Sequence, residues 1–273
     1  MKPEVLYSLF RLTVLAALVA PSVASAGPPG ALDDPFAIGT GNIEFIVAAS
    51  AAEQSGEIGL HGPVFDITMG VTDRLDFLFM GEAFYVIEGG AEQAEAGIFV
   101  TGFKWQALAG PLWNGAWTPG VVVEIEGERR VAVSNNFQLE RGLGRFSLGT
   151  DVGYIWVDDG SHLARGGLYG LFAPSDRLTL LAEVWFENSP EPLGVTLGLG
   201  QADPGNRATD VSFNLGFDWE VAEYLRVLAS AGTGIASDGR ERVGWQGYFG
   251  LQWLWGAPAN ASDPPLMAQR RRH

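Results

Sequence analysis

From Thr209 to Trp219 the chain alternates strictly: Val211, Phe213, Leu215, Phe217 and Trp219 are apolar, and Asp210, Ser212, Asn214, Gly216 and Asp218 stand between them. A period of two predicts a strand with one greasy and one wet face. Its eleven residues, rising about 3.4 Å each and tilted by roughly 40°, cover about 28 Å, enough for the roughly 25 Å apolar band of a membrane barrel.

The same pattern recurs along the chain and predicts about twelve strands. Six fall in the first half, at Asn42 to Ser50, Gly62 to Gly70, Leu75 to Ile87, Ala96 to Leu108, Trp117 to Glu126 and Val131 to Glu140. The other six are Arg145 to Val157, Leu163 to Phe172, Leu178 to Glu187, Thr209 to Trp219, Tyr224 to Gly234 and Val243 to Trp255. Short turns near Asp73, Gly110, Gly142, Asp176 and Ala222 alternate with longer segments such as Ala51 to Gly59, Glu88 to Glu95 and Asn188 to Arg207. An even number of strands with short turns at one end and long loops at the other predicts a closed antiparallel up-and-down transmembrane β-barrel, its short turns on the periplasmic side.

A soluble secreted sandwich would alternate in the same way. Strands of nine to thirteen residues exceed the usual five or six, however. Tryptophans also gather at strand ends, so Trp105, Trp156, Trp219, Trp245, Trp253 and Trp255 are expected to form an aromatic girdle facing outer-membrane lipid.

Composition narrows the class further. The chain has 273 residues, 47% of them hydrophobic and nine of them Trp, yet past its first residues no run of about 18 apolar residues could form a membrane helix. Lys2 and Arg11, the apolar run Leu12 to Ala20 and Ala24-Ser25-Ala26 read as a signal peptide over residues 1 to 26. Residues 27 to 41 are then expected as a periplasmic lead-in, 42 to 255 as the barrel and 256 to 273 as a flexible tail ending Arg270-Arg271-Arg272-His273. Without the signal, Lys plus Arg fall from 17 to 15 and Asp plus Glu from 32 to 31, a net charge of 15 − 31 = −16. That sign argues against nucleic acid as a partner, and the absence of cysteine excludes a disulfide framework.

If the apolar faces meet lipid, the opposite faces line the lumen with Glu44, Asp66, Asp76, Glu82, Glu124, Glu126, Glu140, Asp151, Glu183, Glu187, Asp210 and Asp218, against Lys104, Arg165 and Arg226. An acidic wall in a low-dielectric shell favours cations; the same groups could instead form a hydrogen-bonded plug. Leu181, Trp185 and Tyr248 are expected inside as well, making the passage narrow or closed. The residues offer two further chemistries. Ser161-His162 and His61 near the outer loops could serve a lipid hydrolase, and Glu88, Glu92 and Glu95 could attract a metal. Surface loop residues are the simpler account of both, so neither catalysis, a metal nor a cofactor is expected. The expected partners are membrane lipid and a small solute, for a monomeric barrel.

Several landmarks resemble the outer-membrane family assigned to the MetA pathway of phenol degradation, whose members are called transporters. They are Asp33-Asp34-Pro35-Phe36 with Gly39-Thr40-Gly41-Asn42-Ile43-Glu44, then Val71-Thr72-Asp73-Arg74-Leu75-Asp76, Gly102-Phe103-Lys104-Trp105 and Ala182-Glu183-Val184. The resemblance spans Asp33 to Trp255, although residues 126 to 130 lack the expected Pro-Thr-Gly element and the chain continues past Trp255. It implies passage of hydrophobic or aromatic compounds across the outer membrane and names no catalytic residues.

Overall fold

The structure is a computed structural model that describes residues 31–54, 57–88, 91–124, 131–158, 160, 162–189, 208–238 and 243–256. Twelve strands follow in order: β1 (Ile43–Gln54), β2 (Glu57–Thr72), β3 (Leu75–Glu88), β4 (Ala91–Ala109), β5 (Trp113–Glu124), β6 (Val131–Leu143), β7 (Phe146–Val157), β8 (His162–Phe172), β9 (Leu178–Ser189), β10 (Ala208–Ala222), β11 (Leu225–Asp238) and β12 (Val243–Trp255). Each pairs with its chain neighbours, and β1 pairs antiparallel with β12 from Ile43 opposite Trp255 to Gln54 opposite Val243. The sheet therefore closes, with no edge left unpaired, which is the condition for a sheet to cross lipid.

The alternation read in the sequence decides which way each side chain faces. Along β7, Leu148, Val152, Tyr154 and Trp156 are exposed while Gly149, Asp151, Gly153, Ile155 and Val157 are buried. On β10, Asp210, Ser212, Asn214 and Asp218 are buried, whereas Leu215 and Trp219 are exposed. The outward face is apolar on every side: Leu168 is 68% exposed, Leu215 55% and Phe249 54%. A water-soluble protein does not carry such a continuous apolar belt, so the fold is a transmembrane β-barrel with a polar interior.

Several strands run further than the alternation predicted. Ala51 to Gly59, expected as a loop, is paired as the β1–β2 hairpin up to Gln54 opposite Glu57. Glu88 to Glu95 is likewise paired, with Glu88 opposite Ala91 and Ile87 opposite Glu92. β5 starts at Trp113 and β11 continues to Asp238. Beyond the lipid, backbone pairing continues without any demand for an apolar face, so the sequence signal fades before the ladder does. The 19 residues of β4 reach about 50 Å even when tilted, roughly twice the apolar band. The sixth strand covers all of its expected range and runs on to Leu143, and β12 has its expected bounds. Residues 190–207 of the long segment, the signal, residues 257–273 of the tail and Glu126 lie outside the described residues.

Two glycines at the short-turn end are required by geometry. Gly144 turns β6 into β7 at φ 72°, a left-handed conformation that a side chain disfavours. A Cβ on Gly70 would stand 1.8 Å from the carbonyl oxygen of Gly39, so only glycine lets the amino-proximal segment run against β2.

Candidate functional site

The inner wall carries the site, and its central feature is a stretch expected elsewhere. Within residues 27–41, read as a periplasmic lead-in, residues 31–38 run inside the barrel. Gly41 N donates to Gly70 O at 2.8 Å, next to the start of β1. Further back, Ile38 N donates to Asp76 of β3 at 3.0 Å and Ala37 N to Gln106 of β4 at 3.3 Å. Asp33 then forms an ion pair with Lys104 at 2.9 Å and donates its backbone N–H to Asp151 of β7 at 3.2 Å. At the far end, Ala31 N and Leu32 N donate to the two carboxylate oxygens of Glu183 on β9 at 2.8 and 3.3 Å. Strands β3 and β9 are six places apart in a ring of twelve, so the segment spans the full diameter.

Three kinds of contact hold it. Leu32 is 2% exposed and sits in an apolar socket of Tyr169, Leu171, Leu181 and Trp185, a burial that stabilises by about 2 kcal/mol. Backbone N–H groups that would otherwise lose water find carboxylates, and such charge-assisted bonds are stronger than neutral ones. Lys104, 5% exposed, neutralises Asp33 and stands 4.0 Å from Asp34. At the mouth, Thr40 donates both its hydroxyl and its backbone N–H to Asp73 in the β2–β3 turn, which holds that carboxyl below the ordinary aspartate range.

The other inward residues tie the wall to itself. Glu183 also accepts from Asn214 Nδ2 at 2.6 Å, and Asn214 Oδ1 accepts from Gln246, so β9, β10 and β12 share one network with the crossing segment. Gln252 donates to Glu44 at 2.7 Å, Tyr169 to Glu140 at 3.0 Å, and Arg226 pairs with Asp218 at 2.8 Å. Arg165 lies 3.8 Å from Asp151 and is registered against Glu187, itself opposite Asp210. Asp66, Asp76, Asp151, Glu183, Glu187, Asp210 and Asp218 are all buried in the barrel; Glu44 and Glu82 are half-buried. Glu124 pairs through its backbone with Ile98, and its side chain is outside the described residues.

Sequence reasoning put Leu181, Trp185 and Tyr248 inside, where they pack in apolar clusters, but missed the rest of the apolar interior. Ile98, Val122, Ala132, Ile155 and Val157 form one buried cluster, with Met80, Val100 and Leu163 packed against it. These residues lie on β3 to β8, towards the ends away from the short turns. Ile46, Ala48 and Leu228 form a second buried cluster with Val64 and Tyr248. The signal was present in β7, where Ile155 and Val157 break the polar phase. It is masked by their neighbours Tyr154 and Trp156, which make that stretch apolar on both faces.

Of the expected tryptophans, Trp105, Trp219 and Trp255 are exposed at the short-turn end, Trp253 is half-buried there, and Trp156 and Trp245 are exposed at the other. Trp113 and Trp117 are exposed too. His162 stacks on Tyr154, with ring centroids 5.6 Å apart; Ser161 and the side chains of His61, Glu92 and Glu95 lie outside the described residues. The expected acidic loop is thus a paired hairpin at its backbone.

This architecture defines the class: a closed twelve-stranded barrel of the outer-membrane type, crossed inside by its own amino-proximal segment. Its fold is similar to that of the COG4313 outer membrane channel from Pseudomonas putida F1, with a TM-score of 0.65, 13% sequence identity, and coverage of 81% of this chain and 98% of that one. The NanC porin is similar with a TM-score of 0.50 and 11% identity over 76% of this chain and 98% of that one. No protein-family model and no curated protein matches the sequence.

Proposed function

We propose that the chain is a narrow passive channel of the bacterial outer membrane for small solutes, hydrophobic or aromatic ones among them, acting as a monomer. The fold it shares with an outer membrane channel supports this. The observation that carries it is the interior itself, where buried carboxylates on β2, β3, β7, β9 and β10 outnumber the bases Lys104, Arg165 and Arg226. A wall built only to fill space would be cheaper in apolar side chains, because each buried charge loses hydration; charges of one sign along a wet path favour one sign of ion. The tryptophans at both barrel ends act as its interfacial girdle.

The segment across the lumen favours a second reading, a barrel whose interior is plugged for structural reasons. Recordings from the purified protein in a planar bilayer separate the two: discrete conductance steps support the channel, and their absence together with no liposome swelling rejects it. Glu187→Gln with Asp210→Asn spares the contacts of the crossing segment. That variant should lose preference for cations, read as a shift of the reversal potential towards zero in a salt gradient.

A further inference from the structure

The outward face carries a second, distinct chemistry at the short-turn end. Among the described residues the exposed bases are Arg74, Arg141, Arg145 and Arg177, and all four stand at that rim. Three of them belong to the β6–β9 side. The guanidinium of Arg141 lies over the Trp113 ring, 5.3 Å from its centroid, and Arg145 donates through Nη1 to Pro174 O at 2.6 Å, tying the β6–β7 turn to the β8–β9 turn. A guanidinium has five N–H donors in a fixed fork, so that bond leaves Arg145 able to bind an oxyanion. Stacking likewise fixes the plane of Arg141 without using its donors. The acids on this rim are Asp176 beside Arg177, Asp73 beside Arg74, and Glu220 and Glu223 at the β10–β11 turn; Glu140, next to Arg141, faces inward to Tyr169.

Directly away from the rim, the wall is shaped to receive an acyl chain. In one row across the strands, Arg141 is opposite Leu148, Leu148 opposite Gly170, and Gly170 opposite Ala182. Gly170 has no side chain and Ala182 only a methyl group, so the wall is low there and leaves a groove beside Leu148, which is 59% exposed and whose Cδ2 would stand 3.6 Å from a Cβ on Gly170; Leu168, two residues back along β8 on the same face, continues the apolar wall.

We propose that this rim is a specific site for an anionic phospholipid of the periplasmic leaflet, its phosphodiester between Arg141 and Arg145 and one acyl chain along the Gly170 groove. The site rests on the membrane reading above. Charge selects the occupant: an overall acidic chain, with a net charge of −15, repels anionic lipid everywhere except where bases are grouped. A zwitterionic lipid would bring its own cation to the arginines and gain less.

The test is native mass spectrometry of the full barrel released from mixed micelles containing phosphatidylglycerol or phosphatidylcholine. Phosphatidylglycerol should remain bound in preference, and Arg141→Gln with Arg145→Gln should weaken its retention by about tenfold or more, on the order of the loss of two interfacial charges. Arg74→Gln, at a distant turn, should leave retention unchanged. Heat-modifiable migration on gels reports folding of each variant, and Arg141→Lys with Arg145→Lys should restore part of the retention. Equal retention of the two lipids, equal loss with Arg74→Gln, or displacement of the lipid by inorganic phosphate alone would overturn the site. Failure of the folded barrel to insert into liposomes is a separate result that rejects the membrane reading and this site with it.

Discussion

The two ends of the interior are built from the same alternating strands yet differ in what fills them. Towards the short turns, carboxylates and amides converge on residues 31–38, whose backbone N–H groups are received by Asp76, Gln106, Asp151 and Glu183. Towards the other end, β4 to β7 present Ile98, Val122, Ala132, Ile155 and Val157 as an apolar wall. The first end is closed mainly by hydrogen bonds and an ion pair, with Leu32 in its apolar socket beside them; the second is lined by excluding water. Polar satisfaction is reversible at modest cost, since water can replace the carboxylates as partners. Apolar packing depends on volume and shape. The short-turn half is therefore the one whose closure is the easier to undo without unfolding the barrel.

The largest expected effect comes from deleting residues 31 to 38. This should raise single-channel conductance severalfold while the barrel still folds, as judged by heat-modifiable migration; unchanged conductance would place the constriction elsewhere. Lys104→Met comes next, because it leaves Asp33 and Asp34 buried beside Asp76 without their cation. A loss of about 3 kcal/mol is expected for breaking a buried pair, measurable as protease access to the segment and frequent opening in bilayer recordings. Ile98→Ala acts at the other end, where it should cost about 2 kcal/mol in denaturant through a cavity and leave the conductance alone. Should it open the channel as the deletion does, the two halves are not independent.

The smallest effect is Thr40→Val, which removes the hydroxyl donated to Asp73. Because that bond lowers the Asp73 pKa, its contribution is present above the ordinary value of 3.8 and is lost as pH falls through the lower folded value. Thermal unfolding should therefore distinguish Thr40→Val from the unaltered chain at pH 7, and the difference should fade in strong acid below that range. A difference that persists there would show that the Thr40 side chain acts through something other than the Asp73 carboxylate.

Much of this was legible in the residues. The alternation through Asp210, Ser212 and Asn214 gave the inward phase of β10, and the same reasoning put Asp66, Asp151, Glu183 and Glu187 indoors. The hairpin tips were not legible, because Ala51 to Gly59 lacks an apolar phase once the strand has left lipid. Nor was the position of Asp33 and Asp34. Two acids followed by proline read as a solvated linker, and nothing local reveals a lysine 71 positions away in the chain.

By itself, then, the sequence determined the class of fold, since a period of two over membrane-length strands admits few other arrangements once its apolar face must be covered. It also determined which residues turn inward, because side-chain direction in a strand is fixed by parity alone. Only the tertiary structure decided what those inward residues do. Closure of β1 onto β12 brings β3 and β9 to opposite sides of one lumen, and only that geometry lets eight residues of the amino-proximal segment bridge Asp76 to Glu183. Contacts between positions more than 150 apart in the chain leave no periodic trace; they exist because the barrel's diameter matches the reach of the segment across it.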